Sequence, residues 1–331
     1  MSINRKKDAD EIKKLIRRLK QQHWLSYAQK WWPDYLYRVD NITAAAKILN
    51  MDKLFSRDAA QACGLMDKDC AHPDVIKKTN PRWMKYVRLY FRPRTPTQYA
   101  NEGFRPSHQL DSGAHCPIPI VMLFDSCEIL TRETTIFSNG NLAVWGVQTG
   151  TDYTFLKRIP FEKVYHDKGL DQRTKKEIIF HRHAEVVVPD ELDISPLRFI
   201  GCRTQAEYES LIHLLNPKAR ERWSDKIGLG AKLNLHNKCW TYVERVVLNN
   251  ERIQFMFNPS SKTPGPFKTQ VKIEVEETSK NYYWEENFFM ANSILTMDIS
   301  SIEQSHAYLV RLLLNDDIAY VNRYFEINTP F

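Results

Sequence analysis

Residues 118–124, Ile-Pro-Ile-Val-Met-Leu-Phe, contain no polar side chain. A strand of that composition has to be buried on both faces, as in a covered sheet. Residues 86–91 (YVRLYF) form a second strand, alternating up to paired aromatics at its end. Residues 178–180 and 186–188 bracket a further strand region, and Asn139-Gly140 is a turn signal. Elsewhere the period is helical. Over residues 8–22, Ile12, Leu15, Ile16 and Leu19 fall at i, i+3, i+4 and i+7, surrounded by Lys13, Lys14, Arg17, Arg18 and Lys20. Residues 42–49 are a short helical candidate, whereas 50–85 are polar and irregular without a clear strand. Two helices are expected at 205–215 and 219–227. Alternation returns at 240–248, at 252–257 and through Val271, Ile273 and Val275, with one helix expected at 301–314.

The length of 331 residues suggests two domains, or one with a substantial extension. With 8 Trp, 15 Tyr and 16 Phe beside 26% charged residues, global disorder is excluded. The purest apolar run is residues 120–124, where a membrane-spanning helix needs about 20. The N-terminus carries charge where a secretory signal has its apolar core, so no membrane association is expected. Cys63, Cys70, Cys116, Cys127, Cys202 and Cys239 are scattered without a CxxC pair, which points to a reducing cytoplasm. Residues 1–94 hold 21 Lys+Arg against 10 Asp+Glu, and the remainder 26 against 30. That asymmetry suits an anionic partner, nucleic acid or a dinucleotide, although solvated basic helices give the same pattern.

The sequence contains no Walker A loop, GxGxxG, HExxH or GxSxG. On a strand, His181, His183 and Glu185 would share one face, but no further Cys or His pair stands nearby and no metal is expected. Two features carry more. After Phe91 the chain turns through Arg92-Pro93-Arg94-Thr95-Pro96, and two guanidinium forks on a stiff turn suit a pyrophosphate or a nucleic-acid backbone. The alternative is a proline corner whose arginines pair with local carboxylates. The second feature is Glu185, which directly precedes three valines and sits either at a solvated strand edge or in a deliberate place. Trp24, Trp31, Trp32 and Trp83 are equally suited to stacking on bases or to the core.

Four stretches, in order, resemble the DarT family of NAD-dependent ADP-ribosyltransferase toxins that modify nucleic acid. YRVDNITAAAKIL (37–49) is similar to its N-terminal NAD-binding block. YFRPRTPTQY (90–99) matches its YF-x-PR-[ST]-P-x-x-Y signature. FSNGNLA (137–143) resembles its T-D-G-N-A turn, and RHAEVVV (182–188) its closing R-x-AE-x-LV segment. The chain departs from the family at Asp40, where Thr is usual, and at Arg38, a position often filled by His.

The resemblance implies an α+β fold: an ADP-ribosyltransferase-like split mixed sheet core with an appended β-rich C-terminal domain. The expected organisation is a basic helical extension at 1–34, a catalytic domain at 35–190, a helical connector at 191–229 and the β-rich domain at 230–331. It implies NAD as co-substrate, without a metal, and Glu185 and Arg92 as catalytic residues. Glu185 would hold the 2′-hydroxyl and stabilise positive charge on the ribose as nicotinamide leaves. Tyr37, Arg38, Asp40, Asn41, Arg94 and Tyr99 are the expected cofactor-binding residues. Lys77, Lys78, Arg82, Asn139 and Asn141 are expected to meet nucleic acid, and one of Lys77, Lys78 and Arg82 to join the active site. The acceptor would be a base of single-stranded nucleic acid, DNA favoured over RNA, because chemistry on a base is easiest when it is unstacked. The expected protein partner is an antitoxin, with or without a chaperone. A protein-directed ADP-ribosyltransferase and a non-catalytic nucleic-acid-binding protein are the alternatives.

Overall fold

A computed structural model describes residues 4–66, 73–110, 114–292, 294–303 and 306–326; Cys70 lies outside them. Ten strands build the first part of the chain: β1 Tyr35–Asn41, β2 Lys53–Phe55, β3 Tyr86–Tyr90, β4 Pro119–Asp125, β5 Ile136–Ser138, β6 Thr149–Gly150, β7 Glu185–Pro189, β8 Glu191–Asp193, β9 Leu197–Cys202 and β10 Ile227–Leu229. Eight of these form one sheet in the order β10-β9-β4-β1-β3-β7-β5-β6, while β2 pairs with β8. The apolar strand β4 lies inside it, covered on both faces, with Ile120, Val121, Met122 and Phe124 fully buried.

The sheet is split near its middle. β1 runs antiparallel to β4 along all seven residues, but meets β3 at the single pair Tyr37↔Tyr90. Beyond that point β1 and β3 diverge, and Arg38 reaches across to donate from Nη1 to the Arg88 carbonyl at 3.2 Å. A side chain there satisfies a backbone acceptor that sheet pairing would otherwise use.

The basic N-terminal helix is Ala9–Leu19, and Ile12, Leu15, Ile16 and Leu19 all bury into the main core. The amphipathic stripe is therefore a packing surface, and the basic residues decorate its outside. Residues 191–229, expected as a helical connector, also supply β9 and β10 to the main sheet, between which the helices Gln205–Leu214 and Pro217–Trp223 return the chain. Residues 175–182 differ more sharply from expectation: Lys175–Arg182 is a helix, and only Ile178 on it is buried. His181, His183 and Glu185 therefore do not lie along one strand face.

Beyond β10 come β11 Val243–Leu248, β12 Arg252–Phe257, β13 Phe267–Val275, β14 Lys280–Phe289, β15 Ile294–Asp298, β16 Ala307–Leu314 and β17 Asp317–Phe325. They form two antiparallel sheets, β11-β12-β15 and β14-β13-β16-β17. Of the residues expected as a helix at 301–314, Ala307–Leu314 form the strand β16 instead. Asn315 and Asp316, with φ of 50° and 66°, turn it directly into β17.

This β-rich part is joined to the eight-stranded sheet by a buried ionic cluster. Arg203 donates from Nε to Glu207 Oε1 at 2.9 Å and from Nη2 to the Pro117 carbonyl at 2.9 Å, with its Nη1 3.6 Å from Glu102. Glu102 accepts the backbone N–H groups of Asn237 and Lys238 at 3.0 and 2.8 Å. Arg203 also lies over the Tyr242 ring, 4.3 Å from its centroid. Burial pushes the Glu102 carboxyl up, but Arg203 and the hydrogen bonds outweigh it and hold it below the usual carboxylate range.

Candidate active site

Glu185 opens β7, directly after Ala184 and the C-terminal turn of the helix Lys175–Arg182. The three valines that follow place the strand in the sheet, and the register pairs Tyr90 with Glu185 and Arg88 with Val187. Residues opposite one another share a face, as do residues two apart on one strand. Arg88 and Glu185 are thus diagonal neighbours. Arg88 Nε donates to Glu185 Oε2 at 2.6 Å and Nη2 to Oε1 at 2.9 Å, a bidentate fork. The carboxylate is 1% exposed and the arginine 24%, so the arginine faces an opening and the acid lies buried behind it.

Two further bonds fix the acid. The backbone N–H of Leu142 donates to Oε1 at 3.0 Å, and the N–H of Glu185 itself donates to Ser138 Oγ at 2.9 Å. Both partners belong to the turn at 138–142. Gly140 is required in that turn, because a Cβ there would meet the Phe180 ring at 2.3 Å. The turn is held from outside by His181, whose Nδ1 lies 2.6 Å from the Asn139 carbonyl. Burial works against the Arg88 cation, but the Glu185 carboxylate outweighs it and holds the guanidinium pKa above its ordinary value. Burial and the same carboxylate push the Tyr90 phenol up to about 12, so it stays a neutral hydroxyl.

The opening is a cavity of about 300 Å³ between the diverging strands, bounded also by the helices Ile42–Met51, Arg57–Ala62 and Pro96–Asn101. Arg38, Asp40 and Asn41 line it, as do Lys47, Arg57, Trp83, Arg88, Tyr90 and Thr97. Arg38 and Asp40 form their own fork, Nε to Oδ2 and Nη2 to Oδ1, both 2.7 Å. The unusual aspartate at position 40 is therefore the counter-charge of the unusual arginine at position 38. Asn41 Oδ1 accepts the Ile118 N–H at 3.2 Å, tying the end of β1 to β4.

Other expected site residues stand elsewhere. Arg92 is 1% exposed and committed to structure: it donates to the Pro93 and Val164 carbonyls at 3.0 and 3.2 Å, to the His166 carbonyl, and to Asp167 at 2.9 Å. Burial lowers its pKa to about 10, still a cation. Arg94, at φ 52°, pairs with the other oxygen of Asp167. Both guanidiniums lie by the Trp32 ring, 5.2 and 5.9 Å from its centroid. The Arg-Pro-Arg-Thr-Pro turn is thus a braced corner, and neither arginine lines the cavity. Tyr37 is 1% exposed and donates to the Trp32 carbonyl at 3.2 Å. Tyr99 is 47% exposed on the outer side of the helix Pro96–Asn101.

Lys78 and Arg82 border a neighbouring groove with Asn80, Trp83 and the loop 142–147. Lys77 is exposed on the adjoining helix Pro73–Lys78. Asn139 and Asn141 hold the turn: the Oδ1 atoms accept the N–H groups of Gln148 at 3.0 Å and Ala143 at 2.9 Å. Trp32 and Trp83 are buried, while Trp145, on the groove loop, is 98% exposed. Sequence reasoning passed over both Trp145 and Arg88. For Arg88 the signal was present: a cation in the middle of a strand whose other residues are Tyr, Val and Leu needs a buried counter-charge. None of Lys77, Lys78 and Arg82 takes that place.

The sequence matches the family described as ssDNA thymidine ADP-ribosyltransferase, DarT, over residues 37–228. No curated protein matches the chain. Among solved structures, similarity extends to Thermus sp. 2.9 DarT in complex with ADP-ribosylated ssDNA, at 15% identity, a TM-score of 0.46, and coverage of 60% of this chain and 94% of that one. The same DarT in complex with NAD+ gives 15% and 0.44 over 60% and 93%. Thermosipho africanus DarTG in complex with ADP-ribose gives 16% and 0.46 over 65% and 53%. The family match takes in more than half of the chain, runs from β1 to β10 and includes Arg88 and Glu185; the protein belongs to the DarT family of ADP-ribosyltransferases.

Proposed function

We propose that the protein transfers ADP-ribose from NAD to a base of single-stranded DNA, in preference to RNA, and serves as the toxin of a toxin–antitoxin pair. The observation that carries this reading is Glu185, buried directly behind Arg88 and Tyr90 of the cavity wall and fixed by the Arg88 fork and the Leu142 amide. When bound, NAD supplies the ADP-ribosyl group and a nicotinamide leaving group. The residues present fit such a molecule. Arg38, Lys47 and Arg57 bring cations to the cavity wall for a pyrophosphate, and Trp83 and Ile48 give apolar surface for a ring.

Glu185 accepts three hydrogen bonds from the protein and a carboxylate offers about four acceptor sites, so it retains room for a ribose hydroxyl. Its charge, held in a water-poor place, stabilises positive charge developing on the sugar. Arg88 keeps that carboxylate aimed. The acceptor strand is assigned to the groove of Lys78, Arg82 and Trp145, which adjoins Glu185 through Leu142. Lysine and arginine meet its phosphates, and the exposed indole stacks on a base.

The test is incubation of the protein with NAD labelled in its ADP-ribose part, together with single-stranded DNA, single-stranded RNA and polypeptide. Label on DNA, with nicotinamide released, is the expected result. Label on RNA or polypeptide alone overturns the acceptor assignment, and absence of nicotinamide release overturns the transferase reading.

A further inference from the structure

Thr97 stands on the helix Pro96–Asn101 and lines the cavity. Its Oγ1 lies 3.1 Å from Nε2 of His183, a residue 9% exposed and two positions before Glu185. The other ring nitrogen of His183, Nδ1, lies 2.9 Å from the Ile179 carbonyl oxygen. A carbonyl can only accept, so Nδ1 carries the proton in that bond. Burial lowers the His183 pKa, which keeps the ring neutral and leaves Nε2 as a bare lone pair. Nε2 then has to accept, and the Thr97 hydroxyl has to donate to it. A hydroxyl has one proton and two lone pairs. With its proton spent on His183, Thr97 can only accept from anything in the cavity.

We infer that Thr97 is a specificity residue of the dinucleotide site, held by His183 as a fixed hydrogen-bond acceptor for an O–H or N–H donor of the bound ligand. The inference rests on the reading of the cavity as an NAD site. It adds the chemistry that this wall selects: a sugar hydroxyl or the carboxamide N–H of nicotinamide, and not an acceptor group. His183 is a positioning residue, acting through the threonine. A ligand presenting an acceptor at this point would face the Thr97 lone pairs and lose a hydrogen bond instead of gaining one.

The experiment compares wild type, Thr97→Val and Thr97→Ser by NAD binding calorimetry and by nicotinamide release, with thermal unfolding as the check on folding. Valine keeps the shape and removes the oxygen, whereas serine keeps the hydroxyl. The expected result is a Kd and KM for NAD raised about tenfold in Thr97→Val, with kcat within about twofold of wild type, and recovery in Thr97→Ser. Repeating the comparison with the analogue bearing an acetyl group in place of the carboxamide separates the two donors. If the valine penalty vanishes, the donor is the carboxamide N–H; if it persists, a sugar hydroxyl. Normal NAD binding by wild type with an unchanged Kd in Thr97→Val, or a serine variant as weak as valine, overturns the inference alone. Failure of wild type to bind NAD overturns the cavity reading and the inference together.

Discussion

Arg88 meets Glu185 with two parallel N–H groups, and a lysine could reach only one oxygen from a rotating ammonium. Arg88→Lys keeps the charge and loses the fork, so the carboxylate is no longer held in one orientation. A charge-assisted hydrogen bond contributes about 1.5–3 kcal/mol. The expected outcome is a fall in kcat of about 10- to 100-fold, read by nicotinamide release, with the melting temperature changed by only a few degrees. A variant with wild-type turnover would show that the fork does not orient the acid. Glu185 itself was legible in the sequence because a carboxylate directly before three valines is costly unless placed for a purpose. The pairing was not: Arg88 calls for a counter-charge, but the two lie 97 residues apart and only the β3–β7 register brings them together. Arg92 and Arg94 misled for the converse reason. Asp167 and the Val164 and His166 carbonyls that absorb them lie over 70 residues downstream.

At the scale of elements, the loop between β5 and β6 has two ends with different duties. Its start, through Leu142, holds Glu185, and its tip presents Trp145 at 98% exposure beside Lys78 and Arg82. Stacking of one base on an exposed aromatic contributes about 1–3 kcal/mol. Trp145→Ala should therefore weaken binding of a single-stranded DNA oligonucleotide by about tenfold or more in fluorescence anisotropy, while NAD affinity stays unchanged. Equal DNA affinity in the variant would remove the loop tip from the acceptor path.

Which elements could be read beforehand follows from their burial. The strands at 86–90 and 119–125 announce themselves, because alternation and an all-apolar run each have one structural reading. The helix Lys175–Arg182 does not: its short run Ile178-Ile179-Phe180 suits a strand equally well, and only Ile178 is buried. In β16 the run Tyr308-Leu309-Val310 has no clear period, and the Asn315-Asp316 turn was the clue that both strands form a hairpin.

For the whole molecule, the β-rich part is held to the catalytic sheet by buried polar groups, and these make stability depend on pH. His236 is 3% exposed, with Nε2 3.1 Å from the Pro119 carbonyl, and burial lowers its pKa to about 4. An unfolded chain protonates that imidazole near pH 6.5, whereas the folded one does not until about 4. A folded-state pKa below the unfolded one gives stability that is present above the unfolded value and is lost as pH falls through that window. His183 shifts in the same direction and adds to the effect. The melting temperature should drop from pH 7 to 4.5, and His236→Gln, which can still donate to Pro119, should flatten part of that slope. An unchanged slope would exclude His236 as a source. The charge asymmetry of the sequence did not reveal this junction, because Glu102, Arg203, Glu207 and His236 come from segments that only the fold unites.

Glu185, held by Arg88 behind the cavity wall, is the residue proposed to perform the chemistry on NAD. The direct measurement is nicotinamide release and NAD binding by wild type and Glu185→Gln side by side. The glutamine variant is expected to fold and to bind NAD within about tenfold of wild type, while release falls by about two or more orders of magnitude. Release at the wild-type rate from the folded variant would contradict it.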